Sequence, residues 1–444
     1  MKNLKRLTAL LMVAAMVMTS FAACGKKDDS DQTSSSNAAG ETKTEATATP
    51  AEQKETEAAP TEEAVTVEDV SLKVWGPQEE QDLLKQMCET FNTNHPEWNI
   101  TFDYGVVAEG DAKNELLKDT EAGADVFMFA SGGVTELVAA DAIYPLTKNE
   151  ADIRAIHNEV AVNSGVVDGT LYAVPFTPNA WFMYYNKSMY TEDEVKSLDT
   201  MMAKDLGANV KNFSCDLTNS WYIEAFFLGA GCKLFGDNGT DATQCDFNNE
   251  MGVKVGNYLV DLAANPKYSE EADGKFKEEL KNGTLAAGCS GTWDAKDIKE
   301  YLGDNYAACK LPTINIEGTD YQLSNFADFK SIGVNTATKY PLAAMALAEY
   351  LGGEECQKLR FEVRQVAPTV LSLMEDPEVQ GDPATLALST QTTFSTIQPT
   401  ITKMNDYWSP AEAFGNGIIN GEINKDNMQE KLDLMVSGIL STLE

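Results

Sequence analysis

Arginine is nearly absent from this chain. Four occur among 444 residues (Arg6, Arg154, Arg360 and Arg364), and the first falls in a leader segment. Phosphates, nucleotides and nucleic acids are held by basic patches and by the two-pronged guanidinium. With 69 acids against 34 lysines and arginines, the formal charge is −35. Residues 1–23 carry Lys2, Lys5 and Arg6 and no acid, so their removal takes −35 to −38. Charge and residue type together argue against an anionic ligand, and no nucleic-acid partner is expected. Histidine is also scarce: His95 and His157 lie in ordinary loop or helix contexts. Neither G-x-S-x-G nor H-E-x-x-H occurs, so no recognised catalytic constellation is present and no enzyme is expected. The Gly236–Asp241 loop lacks the D-x-D-x-D-G order of a calcium site and reads as a turn. No metal or cofactor is expected. C-x-x-C is missing too. Besides Cys24 there are Cys88, Cys215, Cys232, Cys245, Cys289, Cys309 and Cys356, an odd set that leaves at least one unpaired unless two chains link. Cys88 reads as a small buried hydrophobe on a helix; any pairing among the others is open.

The N-terminus points to export. Lys2, Lys5 and Arg6 precede an apolar run from Leu7 to Met18 and a small-residue site at Ala22-Ala23. That is the layout of a secretory signal over residues 1–23 rather than a spanning helix. Cys24 directly after it resembles a lipobox cysteine, with Phe21 where leucine is usual; a plain signal with an incidental cysteine is the alternative. Each buried CH₂ of an acyl chain contributes about 0.8 kcal/mol, and two or more chains hold a protein on a membrane. From Gly25 to Thr66 there is no aromatic residue, only Ser, Thr, Ala, Glu, Lys, Pro and their like. Such a segment cannot offset its ordering entropy, so residues 24–67 are expected to be a disordered tether. The expected location is the outer face of the cell membrane, with contact through the lipid anchor alone.

The remaining body is long enough for two domains. Ser71–Trp75 reads as a buried strand, followed by a helix with Leu84, Met87, Cys88 and Phe91 on one face. Ile100, Phe102 and Tyr104 alternate as a second strand, Ala112–Glu121 as a helix, and Ala124–Phe129 as a third strand. This order is the signature of a parallel sheet with covering helices, whose ligands sit beyond the carboxyl ends of the strands. Trp75–Glu80 and Phe129–Gly133 therefore fall at a binding edge. Asp168-Gly169 signals a hairpin, with a short strand from Leu171 to Val174 after it. Pro175 and Pro178 are expected to stop any ladder, since neither donates a hydrogen bond. Trp181–Tyr185 then forms a second buried strand. Two buried strands joined by a proline-rich step are how a chain leaves one domain for another, although an internal strand pair of an α/β enzyme would share the pattern.

Tyr172, Ala173, Pro175, Tyr185, Asn186 and Lys187 match the crossover of the extracellular solute-binding proteins of ABC importers, in the group that includes maltose-binding protein. The run GADVFMFASGGVTELVAADAIYPLT is similar to the same family's first lobe. GTWDA…LGDNYAACKLPT, with LSNFADFKSIGVN after it, looks like the maltodextrin-binding branch of Gram-positive bacteria. The resemblance implies a two-lobed α/β fold, with two doubly wound sheets joined by hinge strands around a ligand cleft. The N-terminal lobe would comprise residues 68–177 and 327–375, and the C-terminal lobe 178–326 and 376–444. Hinge strands would lie near Phe176–Asn179, Ser324–Phe326 and Val366–Thr369. It further implies a monomer that delivers an α-glucan oligosaccharide to the transmembrane subunits of a permease.

Trp221, Trp293 and Trp408 all sit at loop or helix starts beside small polar residues. A Trp at a cleft rim offers a flat apolar face with a polar N–H edge, which suits the C–H face and hydroxyl rim of a pyranose. Any one of them could equally be core. By resemblance, Trp293 and Trp408 fall on sugar-stacking positions, with Phe129 and the pair Trp221-Tyr222 as further platforms. Asp294, Glu79, Glu80 and Asp328 are candidates to accept sugar hydroxyls, against plain solvation. Asn179 stands where the maltose binders carry a glutamate, and Gly132 where they carry an aspartate. These departures imply a cleft more tolerant of longer chains. A surface glycoside hydrolase would need two carboxylates about 5–9.5 Å apart across such a cleft, which so acidic a chain could supply. A non-transport polysaccharide-binding protein would more naturally be a β-sandwich.

Overall fold

The computed structural model describes residues 67–271 and 274–441. The expected leader, Cys24 and tether lie outside the described residues. Among the described residues no helix is long and apolar enough to cross a membrane, and the seven cysteines are all free.

Two sheets organise the body. In the first, Glu68–Gly76 pairs in parallel with Trp98–Val106 on one side and Val126–Ala130 on the other. Phe326–Val334 lies antiparallel to Val126–Ala130, and Val174–Asn179 and Thr396–Ile397 adjoin it in turn. The helix Gln81–Asn94 covers this sheet with Leu84, Met87, Cys88 and Phe91 buried. The helix Pro341–Gly352 joins it through Ala343, Ala344, Leu347, Ala348 and Leu351. In the second sheet, Trp181–Asn186 runs antiparallel to both Ala287–Gly291 and Tyr306–Cys309. Phe213–Cys215 and Tyr268–Glu270 extend it in parallel. Helices Ser220–Gly229, Glu250–Ala264, Asn405–Ile419 and Met428–Leu440 contribute to its core. Each sheet builds one lobe of a two-lobed α/β fold.

The crossing is abrupt. Val174–Asn179 belongs to the first sheet and Trp181–Asn186 to the second, with Ala180 between them. The expectation that Pro175 and Pro178 end the ladder is overturned. Phe329 opposes Pro178 and Ser331 opposes Pro175, with a bulge between Lys330 and Ser331. Both prolines are tolerated because the strand pairs with Phe326–Val334 alone, so its other edge needs no donor. The hairpin at Asp168-Gly169 forms as expected, with φ of 49° and 81° suiting a tight two-residue turn. Further along, Gln365 takes a left-handed φ of 62° and ends the helix Glu354–Arg364. The segment after it is tied down by Gln357, whose Oε1 accepts from the amides of Thr369 at 2.7 Å and Val370 at 3.1 Å.

Candidate functional site

Between the lobes lies a cleft of about 760 Å³, within the range of roughly 300–1,000 Å³ usual for ligand sites. Its second-lobe wall is aromatic. Asn219 starts the helix Ser220–Gly229 by accepting from the Trp221 amide at 2.9 Å, which places Trp221 and Tyr222 on the first turn facing the cleft. Behind them, fully buried Trp181 donates its indole N–H to the Trp221 carbonyl at 3.0 Å, and its ring lies 4.8 Å from Tyr222. Trp408, on the first turns of Asn405–Ile419, stands 6.2 Å from Trp221 at 40°. The adjacent Tyr407 hydroxyl donates to the Ser220 carbonyl at 2.8 Å and fixes the two helices together. Trp293 reaches the same cleft from the turn after Ala287–Gly291. Its ring lies face-on over Gly291, where a Cβ would fall 2.0–2.4 Å from three consecutive ring carbons.

The first-lobe wall is polar and charged. Glu79, Glu109, Asp111, Lys113, Glu136 and Lys330 line it. Lys113 pairs with Glu136 at 2.6 Å, and Lys330 with Glu109 at 3.2 Å. At the floor, Asp328 accepts from Asn179 Nδ2 at 2.5 Å and from the Gly132 amide at 3.4 Å. Burial pushes the Asp328 carboxyl up to about 7, against the opposing pull of Asn179, Gly132 and Lys330. The Gln398 side chain occupies the space beside Gly132, where a Cβ would sit 2.2 Å from its Nε2, so a side chain there would have to displace that amide. The Gln398 amide thus fills the place next to Asp328 that an aspartate at position 132 would need.

Of the residues singled out from sequence, Glu79, Asn179, Trp221, Tyr222, Trp293, Asp328 and Trp408 line this one cleft. Three others do not. Phe129 is fully buried with Phe127, Val134 and Leu137. Its strand is central, with a neighbour on each side and a hydrophobic core on both faces, and of its residues only the last, Ala130, lines the cleft. Glu80 is 2% exposed and bound to Arg360 Nε at 2.5 Å and Arg364 Nη1 at 3.5 Å. A carboxylate so buried needs a paired cation, and here it has two. Asp294 accepts from Ser290 Oγ at 2.6 Å and pairs with Lys277 at 3.0 Å, away from the cleft wall.

Lys113, Lys330, Gln398 and Asn405 line the cleft and were not foreseen. Lys330 was within reach, since it follows Asp328 by two in an extended strand and so shares its face. Gln398 gave no signal. It follows a two-residue strand that exists only by pairing with Phe326–Ala327.

Two α/β lobes joined by strands that cross between them, with paired charges of both signs on one wall of the cleft and aromatics on the other, are the layout of a ligand-binding protein. The chain belongs to the bacterial extracellular solute-binding proteins, whose family model matches residues 86–387. These are binding proteins rather than enzymes. The galactooligosaccharide-binding protein of Bacillus subtilis (strain 168) is 25% identical over 438 residues, covering 95% of this chain and 94% of that protein. A maltooligosaccharide ABC transporter solute-binding lipoprotein of Streptococcus pneumoniae (strain ATCC BAA-255 / R6) is 26% identical over 268 residues, 57% of this chain and 62% of the relative. Among solved structures, a chain with acarbose is 38% identical with a TM-score of 0.78, covering 83% of this chain and 98% of that one. A maltodextrin binding protein from L. casei BL23, solved without ligand, is 27% identical with a TM-score of 0.72, covering 84% and 99%.

Proposed function

We propose that this chain captures neutral α-linked gluco-oligosaccharides outside the cell and hands them to the transmembrane subunits of an ABC importer. The observation that carries this reading is the aromatic wall: Trp221, Tyr222, Trp293 and Trp408 facing hydroxyl-binding polar groups across one cleft. Flat apolar rings opposite carboxylates and amides complement a pyranose, which has C–H faces and a hydroxyl rim. The shortage of arginine and the net charge of −35 weigh against acidic solutes. The relatives named for maltooligosaccharide and maltodextrin support the α-glucan assignment. The signal-like leader and Cys24 support export as a lipoprotein held by acyl chains, and one relative is itself named a lipoprotein.

A second reading has an observation of its own. The cleft has Gly132 and Gln398 where the resemblance to maltose binders calls for an aspartate, and the relative aligned over most of the chain is named for galactooligosaccharides. Calorimetry with glucose, maltose, maltotriose, maltoheptaose, acarbose and galactooligosaccharides separates the two. Binding that starts at maltose or maltotriose and survives lengthening to maltoheptaose is the expected result. Tight binding of galactooligosaccharides with the α-glucans silent would transfer the assignment to the second reading.

A further inference from the structure

We infer that Lys330 and Trp293 form a latch that holds the two lobes together across the cleft. Lys330 rises from the first sheet, and its ammonium lies 5.1 Å from the centroid of the Trp293 ring, which belongs to the second lobe. A cation at this distance is attracted by the negative face of an indole, more strongly when both are withdrawn from water. The Lys330 side chain is 13% exposed and its anchor Glu109, on the first lobe, 8%, while Trp293 is half-buried at the cleft wall.

The backbone of Trp293 is gripped as well. Its carbonyl accepts from Arg364 Nη2 at 3.1 Å, and Arg364 is in turn paired with Glu80. Two cations, each anchored to a carboxylate of the first lobe, therefore hold one tryptophan of the second. With Gly291 against one face of the ring, the ring has little freedom to follow Lys330 if the lobes separate. Opening must break the cation–ring contact.

The latch rests on the sugar-binding reading for its purpose, but its existence can be read without any sugar. In the full chain, spin labels on non-canonical residues at exposed Glu115 and Glu422 report the distance between lobes. Lys330→Met keeps the stem and removes the charge; it should shift the unliganded distribution toward the open form, and Lys330→Arg should restore it. Added salt should do less than the mutation, because the Lys330 side chain is largely withdrawn from solvent. Affinity for every sugar that binds should fall by one common factor, roughly 3- to 30-fold. On a Trp293→Leu background, Lys330→Met should add nothing. If the sugar assignment fails but the distances shift and the arginine restores them, the latch stands. Unchanged distances in Lys330→Met would overturn it. So would tighter binding confined to longer sugars, which would make Lys330 a plug in a subsite.

Discussion

The two walls of the cleft are built by different physics. On the second lobe, Trp221, Tyr222 and Trp408 are set by helix starts and by aromatic rings behind them, with Phe326 6.1 Å from Trp221 and 6.3 Å from Trp408. On the first lobe, the cleft is lined by Glu79, Glu109, Asp111, Lys113 and Glu136, some of them already spoken for by ion pairs. Apolar area removed from water supplies most of the free energy of such a contact. Charged groups that are already paired contribute less to affinity and more to orientation and closure. The contrast teaches where to look for each property. Affinity should follow the aromatic wall, while pH response and the open–closed balance should follow the polar one.

The largest expected effect tests whether Glu80 belongs to the fold and not to the cleft. Glu80→Gln removes the charge that partners buried Arg360 and Arg364. Stranding a buried cation costs about 3–5 kcal/mol. Denaturant unfolding should show that loss, with the sugar affinity of the surviving folded fraction little changed. A loss of affinity with stability intact would return Glu80 to the binding wall.

Trp408→Ala addresses the aromatic side directly. By analogy with bases stacked on aromatic side chains, the loss should be about 1–3 kcal/mol of binding, or roughly 5- to 150-fold. Calorimetry measures it, and an unchanged circular dichroism spectrum would show that the helix Asn405–Ile419 still forms. Full affinity in this variant would dissolve the division between the walls.

The third test concerns Asp328, and its sign follows from the raised pKa. The folded chain keeps this proton up to about 7, whereas an ordinary Asp loses it near 3.8. Between those values the folded state binds more protons than the unfolded, so this group makes stability fall as pH rises. Glu270, raised by burial to about 7, acts in the same direction. His157, lowered by burial to about 4, acts the other way, because it resists a proton that the unfolded chain accepts. Asp328→Asn should therefore remove up to about 1.4 kcal/mol per pH unit of downward slope across that window. Thermal unfolding of both proteins at several pH values checks it. Parallel profiles would mean that Asp328 is already ionised in the cleft.

Local pattern carried a large share of this protein. The alternation of Ile100, Phe102 and Tyr104, the helical spacing of Leu84, Met87, Cys88 and Phe91, and the turn at Asp168-Gly169 are all short-range signals, and each formed the expected element. The strand–helix order set the fold class, and the crossover residues set the family resemblance. The setting of Trp221, Trp293 and Trp408 beside small polar residues was also visible in sequence, because helix starts and strand-end turns have local chemistry.

What pattern could not decide was which of several like residues faces the cleft. Glu79 and Glu80 are neighbours, yet the first lines the cleft and the second is sealed against Arg360, 280 residues away. Phe129 matched a platform position and went into the core because its strand became central. Pro175 and Pro178 were compatible with a strand only because that strand has an edge. Gln398 beside Gly132, and Lys330 over Trp293, join segments that no sequence window contains. Periodicity is written in the covalent neighbourhood of a residue. Pairing, burial and the direction of a charge depend on which distant segments the folded chain brings together.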